Sequence, residues 1–196
     1  MPGTLRFLGW HRQLGWRDQW RWWQASIMKQ PESLPVGGPS ISMRFARFED
    51  VTGILRLIER ALEHGCRDAY DERQRRSIFL GYASSLFIEA LAPFETVLAE
   101  IDGRLIGAAQ IDPRAGLLRA LFVDAGFQGQ GVGRRLLATI ESRARAAHCN
   151  RLCGAMSLNA VEFYRRAGFL ARGGPEHLGG NPTSVPVLWM EKPLGK

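Results

Sequence analysis

The sequence predicts an α/β domain built on a mixed, mostly antiparallel sheet with helices packed against it. Three observations carry this. Two strand-like apolar runs, 96–101 and 104–111, flank the dipeptide Asp102-Gly103. A glycine-rich stretch at 128–133 joins a strand-like run to an amphipathic helical run. Apolar stripes with helical spacing separate the strand-like runs, which is the pattern of helices laid on a sheet.

The elements follow in order from Ile41. Residues 41–46 read as a short strand. Val51, Ile54, Leu55, Ile58 and Leu62 form one helical stripe, and Glu49 and Asp50 sit where the helix N-terminus is positive. A second helical stretch is expected from about 71 to 91, broken near Gly81 and stopped by Pro93. Residues 96–101 and 104–111 form a hairpin, because Asp-Gly accepts the positive φ angles of a two-residue turn. Residues 117–123 read as a third core strand. The helix after the glycines runs from about 132 to 147, with Leu136, Leu137, Ile140, Ala144 and Ala147 facing inward. Residues 151–156 form another strand. A helix over 159–167 is expected to begin at Asn159 as N-cap, with Glu162 completing a capping box. Gly168 ends it. The last strands are 169–171 and 185–191. The expected order is βααβββαβαββ.

Composition bounds the function. The chain has 196 residues, of which 45% are hydrophobic and 23% charged, as in ordinary globular domains. No apolar run reaches the ~18 residues of a membrane span, and the N-terminal residues do not read as a secretory signal. Cys66, Cys149 and Cys153 are an odd set without metal or redox spacing, which suits reduced thiols and a cytoplasmic location. His11, His64, His148 and His177 form no cluster, so no metal site is expected. The formal charge of +7 favours anionic ligands, a nucleotide as much as a nucleic acid.

Residues 1–40 stand apart from the domain expected over 41–196. They hold Trp10, Trp16, Trp20, Trp22 and Trp23 among arginines, then the linker-like Pro31, Pro35, Gly37, Gly38 and Pro39. Four readings remain open: a docking arm, a translated upstream region that is not native, an interfacial membrane helix, and a nucleic-acid contact.

The chemistry concentrates in 121–137. Glycines at 129, 131 and 133 let backbone N–H groups approach a phosphate, and the helix behind them adds roughly half a positive charge. Arg134 and Arg135 add charge-assisted contacts. The spacing G-x-G-x-G, with no acid ending the next strand, disfavours a dinucleotide-binding turn. The Gly-Lys-Ser/Thr of a phosphate-binding P-loop is absent.

The stretch Gln128-Gly129-Gln130-Gly131-Val132-Gly133 resembles motif A of the GCN5-related N-acetyltransferase (GNAT) superfamily, with Gln128, Gly131 and Gly133 matching. The segment Asn159-Ala160-Val161-Glu162-Phe163-Tyr164-Arg165-Arg166-Ala167-Gly168-Phe169 resembles a second motif of the same family. The resemblance covers 41–192 and leaves 1–40 outside. It implies acetyl-CoA as cosubstrate and no metal. It implies that Leu121, Phe122 and Val123 pair with the pantetheine arm, and that the Val123 N–H stabilises the thioester oxyanion. Gln128, Gly129, Gln130, Gly131, Val132, Gly133 and Arg134 would hold the pyrophosphate. Tyr164 matches the general acid, and Asn159 a position that contacts the cofactor or simply caps its helix.

The resemblance also has a gap. Several family members carry a glutamate on strand four as general base, whereas here that stretch reads Leu117-Leu118-Arg119-Ala120. Glu100, Asp112 and Asp71 (beside Tyr70) are candidates, and water-mediated deprotonation is another route. The implied acceptor is a small-molecule or peptide amine, and the state a monomer or homodimer. Two alternatives stand beside it: an acetyltransferase acting on aminoacyl-tRNA, and a non-catalytic acyl-CoA-binding module.

Overall fold

The computed structural model describes residues 40–84, 94–178 and 184–195. Nearly all of the N-terminal arm therefore lies outside the described residues. The elements are β1 (Ser42–Phe45), α1 (Val51–Gly65), α2 (Glu72–Ala83), β2 (Glu95–Ile101), β3 (Arg104–Asp112), β4 (Leu117–Val123), α3 (Val132–Ala146), β5 (Arg151–Ser157), α4 (Val161–Arg166), β6 (Leu170–Leu178) and β7 (Val185–Pro193). This is the expected order. Asp102 and Gly103 both take positive φ, 50° and 75°, as the hairpin required.

The seven strands form one sheet in the order β1-β2-β3-β4-β5-β7-β6. Every pair is antiparallel except β4 and β5. Each face carries its own core. On one face, α3 buries Val132, Leu136, Leu137, Ile140 and Ala144 against Ile106, Ile111, Leu118 and Leu152, with Tyr164 and Phe169 in the same cluster. On the other, α1 buries Ile54, Leu57, Ile58 and Leu62 against Leu98 and Ala108. Burying each such side chain contributes roughly 1.5–3 kcal/mol, so the two helices are fixed by their apolar stripes. Ala147, expected to face inward, is only half-buried at the helix end.

Three local expectations are corrected. α2 runs through Gly81 without a break and ends at Ala83; residues 85–93 lie outside the described residues. Asn159 is not the N-cap of α4. Leu158–Ala160 form a 3-10 turn, the cap position falls on Ala160, and the Asn159 amide instead donates to the Gly65 carbonyl at 3.0 Å. A tertiary partner outcompeted the local cap. β6 is nine residues long, not three, because β7 gives it a partner; a bulge interrupts the pairing between Ala171 and Pro175.

The parallel pair departs from the rest of the sheet. β4 and β5 are in register at one position, Leu117 with Cys153. There they come very close: a Cβ on Gly154 would stand 2.5 Å from the Leu118 carbonyl oxygen. Beyond that point no β4 residue pairs with β5. The contact point tolerates no side chain, so Gly154→Ala should cost about 1–3 kcal/mol by overpacking. Urea unfolding checks this, and an unchanged midpoint would mean the strands can part without loss.

Candidate active site

The glycine-rich turn lies at the open end of β4. Gly129 and Gly131 have φ of 75° and 83°, which non-glycine residues rarely adopt. Gly131 is the residue before α3 and leads directly into its N-terminus. A Cβ at Gly129 would meet nothing within 4 Å, so the backbone here is approachable from outside. Gly133 also has a packing role. Its missing Cβ would lie 3.3 Å from the Phe163 ring, so it lets α4 pack closely on α3. Gln128, Gly129, Gln130 and Arg134 are exposed. The Gln128 amide donates to the Val123 carbonyl at 3.3 Å, and the Gln130 amide to the Gly126 carbonyl at 2.9 Å. Val132 is buried under the turn.

Asp124 braces this turn. Its carboxylate is buried, accepts the Gly126 N–H at 3.1 Å and pairs with Arg60 at 3.0 Å and Arg104 at 3.5 Å. Arg104 also stacks over Phe127, 5.2 Å from the ring centre. Burial works to raise the carboxyl pKa, but the Gly126 N–H and the two guanidinium groups outweigh it, and the group sits below its ordinary value.

The outer side of β4 is the second part of the site. The Asp124 N–H donates to Ile106 on β3. Backbone groups alternate sides along an antiparallel strand, so the Val123 N–H points the other way, into the gap left by β5. The Val123 carbonyl, on that same side, is taken by Gln128 rather than by a strand. Leu121 and Phe122 lie on the same unpaired stretch of β4, half-buried on opposite faces of the sheet.

Tyr164 projects from α4 into the core and is only 4% exposed. Its ring makes edge contacts with Phe163 and Phe169 at 5.0 and 5.2 Å between centres. Burial pushes its phenol well above the ordinary value, and Tyr82 adds to the shift, so the hydroxyl keeps its proton at neutral pH. Phe163 points elsewhere, onto Gly133. Asn159 is exposed and tied to the end of α1.

The carboxylates considered as bases all have other engagements. Glu100 faces Arg44 at 2.7 Å near the β1 edge, two strands away from β4. Asp112 accepts the Arg114 and Ala115 N–H groups at 3.0 and 3.1 Å and shapes the turn before β4. Asp71 caps α2 through the Gln74 N–H.

Two tyrosines stand out in the structure that no motif marked. Tyr70 donates to the Pro186 carbonyl at 2.8 Å and accepts the Leu158 N–H at 2.9 Å, locking the α1–α2 connection onto β7. Tyr82 donates to the Arg119 carbonyl at 3.0 Å and stacks edge-on against Phe122, 5.1 Å between centres. Burial pushes its pKa up to about 12, with Arg119 opposing. The only sequence signal for Tyr82 was its place in the helical stretch expected over about 71–91. Among the described residues, no group of acids, cysteines and histidines could hold a metal ion.

The acetyltransferase (GNAT) domain model matches residues 86–186. The chain belongs to this family. A curated relative, an IAA acetyltransferase from Azospirillum brasilense, is 39% identical over 93 residues, which is 45% of this chain and 59% of the relative. The chain thus spans about 59% of that relative's length. Among solved structures, a GCN5-related N-acetyltransferase from Rhodopseudomonas palustris is similar with a TM-score of 0.73 and 22% identity, covering 83% of this chain and 99% of that one. The PaiA N-acetyltransferase from Thermoplasma acidophilum, solved in complex with coenzyme A, gives a TM-score of 0.65 at 18% identity, covering 79% and 99%. At these identities the two structures speak for the fold.

The depressed Asp124 pKa fixes a pH dependence. Stability from this carboxylate is present above its unfolded value of ~3.9 and is lost as pH falls through the lower folded value. Asp124→Asn should cost about 1–3 kcal/mol at neutral pH. The gap between variant and wild type should narrow below about pH 4. Thermal unfolding across pH checks both; a gap independent of pH would show that the charge is not what braces the turn.

Proposed function

We propose that this domain transfers an acetyl group from acetyl-CoA to an amine by direct attack, with Tyr164 as the general acid. The observation that carries the reading is the coincidence of three features at one end of the sheet. These are an unpaired β4 edge, an approachable glycine turn leading into α3, and a buried protonated phenol on α4. The residues fit the cosubstrate. The open backbone at Gly129 and Gly131, with the α3 N-terminus, suits a pyrophosphate. The unpaired groups of 121–123 suit an extended amide-containing arm that adds to the strand edge.

Acetyl-CoA supplies the acyl group as a thioester. The Val123 N–H donates to the thioester carbonyl and stabilises the negative charge that gathers there as the amine attacks. Tyr164 gives its proton to the departing sulfur; its raised pKa keeps that proton available at neutral pH. Glu100, Asp112 and Asp71 are engaged elsewhere, so water carries the proton from the ammonium. The relative's name concerns that protein; for this chain the acceptor is an amine of small-molecule or peptide origin.

Thiol release from acetyl-CoA over a panel of amines tests the reading. Tyr164→Phe should lower kcat by roughly 10–100-fold while the affinity for coenzyme A, read by calorimetry, stays within about twofold of wild type. Unchanged kcat would remove Tyr164 as the acid. Binding of acetyl-CoA without release of thiol for any amine would leave a binding module.

A further inference from the structure

Arg119 occupies the stretch of β4 where the resemblance leads one to expect an acid. The β3–β4 register explains its placement. Ile111 pairs with Leu118 and Gln110 with Ala120, so Arg119 is the surplus residue of a bulge. A bulge re-aims the side chain it carries. The guanidinium stacks over the Phe94 ring at 4.2 Å. Its Nε is fully buried, and no described residue accepts a hydrogen bond from it. Such an orphaned charged donor is costly unless something pairs with it. The Tyr82 hydroxyl sits on the Arg119 carbonyl and is felt electrostatically by both Arg119 and Tyr164. A cation, two phenols and the Phe122 ring therefore gather about the unpaired part of β4.

We propose that Arg119 binds a carboxylate on the acceptor, so that the substrate is an amine bearing a carboxylate, in the manner of an amino acid. This rests on the acetyl-transfer reading and narrows its acceptor. Arg119 as a whole is half-buried, and the planar fork of its guanidinium suits a carboxylate held in charge-assisted hydrogen bonds, with the buried Nε–H alongside reporting on it. Arg119 beside the Phe94 ring, with the Asp112 carboxylate also within electrostatic reach, suits one negative charge better than the two of a phosphate monoester. The same arrangement explains why an acid is missing here. A carboxylate at 119 would repel an anionic acceptor, whereas an arginine draws it in and leaves its amine facing the thioester.

The test pairs matched acceptors. L-Phenylalanine and L-alanine are compared with their carboxamides and with 2-aminoethyl phosphate, using thiol release from acetyl-CoA. Wild type should favour the carboxylates over the carboxamides by about ten- to hundredfold in kcat/KM. Arg119→Gln should bring that ratio to about one, mainly through KM, while Arg119→Lys retains part of it and guards against a folding defect in the first variant. Independently of turnover, the 15N Nε–H resonance of Arg119, in protein saturated with coenzyme A, should move on titration with the amino acids and not with the carboxamides. Equal transfer to carboxylates and carboxamides with an unmoved resonance overturns the proposal and spares the acetyl-transfer reading. A moving resonance without transfer to any acceptor supports the carboxylate site and overturns acetyl transfer. Preference for the phosphate overturns the carboxylate assignment, as does absence of both transfer and resonance shift.

Discussion

The site depends on one constraint: two parallel strands that meet once and then separate. At Leu117 and Cys153 the backbones of β4 and β5 touch, and Gly154 makes that approach sterically admissible. Past it, β4 keeps its antiparallel partner on one side and loses it on the other. A sheet interior rarely leaves backbone donors unpaired, so an opening of this kind invites an extended ligand. Everything else in the site is arranged around its ends. α3 begins where β4 stops, α4 closes the α3 face with Tyr164, and α2 covers the opposite face with Tyr82.

The supports on the two faces differ in kind. On the glycine-turn side the bracing is ionic, with Asp124 gathering Arg60 from α1, Arg104 from the hairpin and the Gly126 N–H from the turn itself. The buried carboxylate thereby joins three elements through charge and hydrogen bonding. On the other side the supports are aromatic. Tyr70 and Tyr82 each place a hydroxyl on a backbone carbonyl, of Pro186 and Arg119, and hold α2 to the sheet. Phenols can do this because they bring a large apolar body and a single polar tip.

Much of this was legible in the sequence, and the reasons are local. The hairpin was readable because Asp102-Gly103 admits few other conformations. α1 and α3 were readable because their apolar stripes match one face of a helix over four turns. The glycine turn was readable because Gly129 and Gly131 sit where backbone, not side chain, must face outward. What escaped was set by distant partners. Asn159 looked like a cap, yet the Gly65 carbonyl, 94 positions away in sequence, took its amide. β6 looked short because its nine residues carry no alternation; only pairing with β7 makes them a strand. The packing of Gly133 against Phe163, which docks α4 on α3, was not visible in the glycine spacing. Arg119 read as the absence of an acid, because neither the bulge that re-aims it nor the ring it stacks on is visible in the sequence around it.

The bulge in β6 has a consequence of its own. This strand is one margin of the sheet, and the other margin among the described residues is the four-residue β1. On β6, residues 172–174 leave the ladder, and Pro175 follows without an N–H to offer. An incoming strand from another chain would find two short runs on that side, of two and four residues, and four residues on the other. Long, flat margins are where sheets grow by accretion, and interrupted ones stop growth. The break at 172–174 therefore interrupts the row of backbone groups that a strand from another chain would need along this margin.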